Sequence, residues 1–102
     1  MDEEAQLSEE MARGVRAKAI LESGIFQEAV EMVEADTLEK WKKSPIRDEE
    51  GQRFLRLKWQ ALQEVKGYLK DVMETGKLAS QTIEEKRNIA QRTRAAVAAF
   101  RR

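Results

Sequence analysis

The chain is 102 residues long, enough for one domain with one modest core. Hydrophobic residues make up 41% and charged residues 37%, and Ala, Glu, Lys, Leu and Arg recur at helical period, which points to long helices. Cys and His are both absent, which excludes disulfides, thiolate nucleophiles, His-based triads, zinc sites and Glu-x-x-His di-iron sites.

Charge is balanced overall but unevenly spread. Residues 1–50 hold fourteen acids against seven bases, and residues 51–102 hold five acids against twelve bases. Such asymmetry suits a charged partner, two halves packed together, or copies arranged head to tail. No apolar run approaches the roughly 18 residues that a bilayer span requires. The opening Met1-Asp2-Glu3-Glu4 is acidic where a signal peptide is basic, so a cytoplasmic protein is expected.

Residues 1–7 read as a disordered acidic lead to a single helical domain. Ser8 is the expected N-cap of a first helix over 8–22, with Glu9 and Glu10 where the helix dipole favours acids. Ser23-Gly24 reads as a glycine C-cap, the alternative being a glycine tolerated inside one longer helix. A second helix follows over 25–43, its apolar positions closing on Trp41, which is expected in the core. Ser44-Pro45-Ile46-Arg47 breaks the pattern, because proline lacks an N–H and restricts the residue before it. Asp48 is placed to cap a third helix over 48–75, where Phe54, Leu55, Ala61, Leu62, Val65, Tyr68, Leu69, Val72 and Met73 form one broad apolar face. Thr75-Gly76 is expected to end it as a second glycine cap. A fourth helix over 78–101 carries a thin stripe of Ala79, Ile83, Ala90, Val97 and Phe100. The predicted fold is all-α, a small bundle built on a long antiparallel helical hairpin, with part of its apolar face needing a second copy to cover it.

Chemistry is harder to find. Glu28, Glu31, Glu34 and Asp36 read as a solvated acidic face on the second helix rather than as paired catalytic carboxylates. Thr75-Gly76-Lys77 has the ending of a phosphate loop, but Asp71 and Leu78 stand where that motif needs Gly and Ser or Thr. No catalytic, cofactor-binding or metal-ligating residue is therefore expected, and no small-molecule substrate. Trp59, Tyr68, Ile83, Val97 and Phe100 are the candidate protein contacts, since large apolar and aromatic side chains anchor interfaces. Residues 86–102 contain six bases and no acid. Arg87, Arg94 and Arg101 recur every seven residues beside the apolar seam, with Arg92 and Arg102 nearby. These arginines are candidates either for acids on a neighbouring helix or for nucleic-acid phosphates.

Three stretches carry a resemblance to a known group: Ala19-Ile20-Leu21-Glu22-Ser23 leading to Phe26-Gln27-Glu28-Ala29; Trp41-Lys42-Lys43-Ser44-Pro45 followed by Asp48-Glu49-Glu50-Gly51-Gln52-Arg53; and Met73-Glu74-Thr75-Gly76-Lys77-Leu78-Ala79. Together they resemble short helical proteins of tailed bacteriophages and prophages encoded among head and packaging genes. The resemblance covers about residues 19–79 and carries no functional residue. It implies a phage origin, a place in the bacterial host cytoplasm or the virion, and a role in particle assembly. The expected function is a non-enzymatic assembly or protein-interaction role through oligomeric helix packing, with itself or another phage or host protein. The alternative is a nucleic-acid-binding module, such as a small DNA-packaging subunit, using the basic last helix.

Overall fold

A computed structural model describes residues 2–101. Three helices account for nearly all of them: α1 (Glu3–Glu22), α2 (Gly24–Lys43) and α3 (Glu49–Phe100), with no strand among the described residues. The protein is all-α, as its composition requires.

Helix ends follow local chemistry, not always at the expected residue. α1 begins five residues ahead of Ser8: the Glu4 N–H donates to Asp2 Oδ1 at 3.4 Å, and Glu3 and Glu4 occupy the first turn. The expected lead is thus helical from Glu3 on. The break near residue 23 is real, but Gly24 is not its cap, because no described glycine has positive φ. Instead Ser23 is extended at φ −64°, ψ 124°, and Gly24 opens α2. Leu21 O accepts from Gln27 Nε2 at 3.0 Å, which satisfies one carbonyl freed at the end of α1. After α2, the Ser44 N–H and hydroxyl both donate to Trp41 O. Asp48 then caps α3 as expected, its Oδ1 accepting from the Gly51 N–H at 3.0 Å.

The main departure is at Thr75-Gly76, where two helices were expected and one continuous helix runs through. A glycine stops a helix when it turns left-handed, and Gly76 stays helical. The hairpin turn lies at residues 44–48 instead, between α2 and α3.

Contacts group into two units. One combines α1 as far as Arg16 with α3 from Val72 onward; the other runs from Ala17 to Asp71. In the first, Lys86 pairs with Glu3 at 2.9 Å, and Gly14 lies against Gly76, so α1 runs antiparallel to α3. In the second, Glu34 faces Lys66 and Asp36 faces Lys58, at 3.5 and 3.9 Å, so α2 and α3 are antiparallel too. Among the described residues the buried apolar side chains are small: Ala17, Val30 and Ala79, with Thr37 buried and donating to Val33 O. Most large apolar side chains sit half-covered or open.

Candidate interaction surfaces

The α2–α3 turn opens a cleft of about 610 Å³ within the second unit. Leu38, Trp41, Leu55 and Trp59 form its apolar wall, and Glu49 and Arg53 lie at its edge. Trp41, expected in the core, is 53% exposed, because the chain leaves α2 three residues later and little packs over it. Trp59 turns toward the same cleft. Two tryptophans on one wall offer broad apolar surface against which an apolar group can pack. Among the described residues no group of carboxylates is arranged to hold a metal, and no buried side-chain polar atom lacks a partner.

The acidic residues of α2 are not all solvated, as their spacing suggested. Glu34 is part-buried and accepts from Gln63 Nε2 and Lys66 Nζ of α3. Asp36 is exposed, and its hydrogen bond with Lys40 holds its carboxyl below the usual range. Glu28 and Glu31 remain exposed.

On α3 the apolar residues divide between two sides. Leu55, Leu62 and Leu69 are half-covered, with Lys58 and Lys66 reaching acids of α2 between them. Phe54, Val65 and Tyr68 belong to the same broad apolar face and Leu57 flanks it, and all four are 53–67% exposed. A single helix packed on one side covers only part of an apolar arc this wide.

The basic end of α3 is open. Every residue from Glu84 to Arg101 is exposed, including Ile89, Val97 and Phe100. Lys86 reaches Glu3, but Arg87, Arg92, Arg94 and Arg101 have no acidic partner among the described residues. Arg102 lies outside the described residues. Of the contact candidates, Trp59 and Tyr68 fall in one unit, and Ile83, Val97 and Phe100 in the other. Ile83 is half-covered and lines a depression beside Leu7 and Met11 of α1, so it is partly spent on internal packing. Sequence reasoning passed over Phe54 and Leu57 as contacts because periodicity identifies an apolar face without saying how much of it a neighbour covers.

No helix among the described residues is long and apolar enough to cross a membrane. Compared with family models, curated proteins and solved structures, the chain matches none. Fold and surface define an all-α protein with a small internal core and extensive open apolar surface.

Proposed function

We propose that the protein is a non-enzymatic assembly protein that works by associating with copies of itself through helix packing. The observation that carries this reading is the apolar surface left open along α3: Phe54, Leu57, Val65 and Tyr68 in one unit, and Val97 and Phe100 in the other, are 46–93% exposed. Taking such a side chain from full exposure to full burial stabilises by about 1.5–3 kcal/mol, and a partner that covers the open part of each adds its share of that. Acid–base pairing between the halves of the chain, seen at Glu3–Lys86, Glu34–Lys66 and Asp36–Lys58, orients the helices within a copy. On the resemblance of residues 19–79, the setting we propose is particle assembly of a tailed phage, in the host cytoplasm or the virion.

Native mass spectrometry of the intact chain, with and without duplex DNA, tests the reading. The expected spectrum is a discrete homo-oligomer unchanged by DNA. A monomer that binds duplex with an affinity falling steeply in salt overturns it, and assigns the open arginines of α3 to phosphates.

A further inference from the structure

Resting on the reading of self-association, we infer that the copies pair through a two-fold interface centred on Ala61. Phe54, Leu57, Ala61, Val65 and Tyr68 lie within about 40° of one line along α3 at 100° per residue. All five are exposed, on a side roughly 100° round from the Leu55–Leu62–Leu69 side that faces α2. Their spacing of three, four, four and three reads the same from either end. A two-fold interface sets residue i against j and j against i, so a stripe with this spacing meets its own copy residue for residue.

An antiparallel pairing about Ala61 sets Phe54 opposite Tyr68 of the second copy and Leu57 opposite its Val65. The small side chain falls at the axis, where the two backbones come nearest. Aromatic pairs and branched aliphatic pairs then meet at both ends, and each occurs twice.

The charges favour the same orientation. Arg53 and Asp71 lie on one flank of the stripe, and both are exposed without an ion pair among the described residues. The two-fold operation brings Arg53 of each copy within about 3 Å, along the helix axis, of Asp71 of the other. Gln60 and Glu64 of opposite copies meet in the same way. A parallel pairing turns this flank toward the partner side occupied by Gly51, Leu62 and Leu69, which offers neither charge an opposite. The antiparallel operation also puts both α2 helices on one side of the α3 pair, as in a four-helix bundle.

Sedimentation velocity on the full chain tests the interface, with circular dichroism on each variant. Wild type sediments as a dimer or a multiple of it. Leu57→Glu loses the association and keeps its helicity, since Leu57 is already 53% exposed in one copy. Arg53→Asp and Asp71→Arg each turn two attractions into two repulsions, and each weakens self-association about tenfold or more. Mixing these two variants restores association, because the heterodimer regains both attractions, one pair as in wild type and one with its signs exchanged. A wild-type chain that stays monomeric overturns both this inference and the proposed function. Association that survives Leu57→Glu overturns this surface alone. Weakening by both charge variants without recovery on mixing overturns the antiparallel orientation.

Discussion

At the scale of single residues, two glycines hold the first unit together. A Cβ built on Gly14 would lie 2.7 Å from the Gly76 Cα, and one built on Gly76 would lie 2.7 Å from the Gly14 Cα and 3.1 Å from Glu10 O. These are backbone atoms, so the helices themselves must separate to admit a methyl group. Gly76→Ala therefore costs about 1–3 kcal/mol through overpacking, although alanine is the better helix former. Gly67, also inside α3, has nothing within 4 Å of its would-be Cβ, and Gly67→Ala stabilises by roughly 0.5–1 kcal/mol. Denaturant melts of the two variants, read as opposite shifts in midpoint, check the contrast. The sequence made Gly76 conspicuous for the wrong reason. Glycine ends helices and also lets them touch, and the choice depends on a distant residue, Gly14, which no local pattern connects to it.

At the scale of elements, what reads well from sequence is what local chemistry decides. The Pro45 break, the Asp48 cap and the helical period of α3 all rest on residues within a few positions of one another. The continuity of α3 was not legible, because tertiary packing at Gly76 overrides a nearby stop signal. The open end of α3 was not legible either, since its stripe of Ala90, Val97 and Phe100 continues the pattern of covered residues before it. That end is held by its own backbone hydrogen bonds and by side-chain bonds such as Thr93 Oγ1 to Ile89 O, with little tertiary cover. Helices without packing are marginal in water. Amide hydrogen exchange is expected to be faster over residues 87–100 than over 69–79 by an order of magnitude or more. Equal protection in the two segments, at concentrations where the chain is monomeric, contradicts this.

At the scale of the whole molecule, the proposed self-association makes stability depend on protein concentration. A chain that completes its burial with further copies gains stability by mass action. Its melting temperature is expected to rise by several degrees over a hundredfold increase in protein concentration, and Leu57→Glu should flatten that dependence; scanning calorimetry at two concentrations checks both. The candidate surface was half legible at this scale. Tyr68 could be named from its place on an apolar face, whereas Phe54 and Leu57 emerge only once α2 is seen to cover another side. The touching glycines of α1 and α3 also act as a vernier. Slipping α1 by one turn would bring Glu10 or Ala17 to Gly76, or Val72 or Ala79 to Gly14. Each such slip puts a side chain where only bare backbone fits, so one alignment of the two rods survives, and a pair of residues with no side chains selects it.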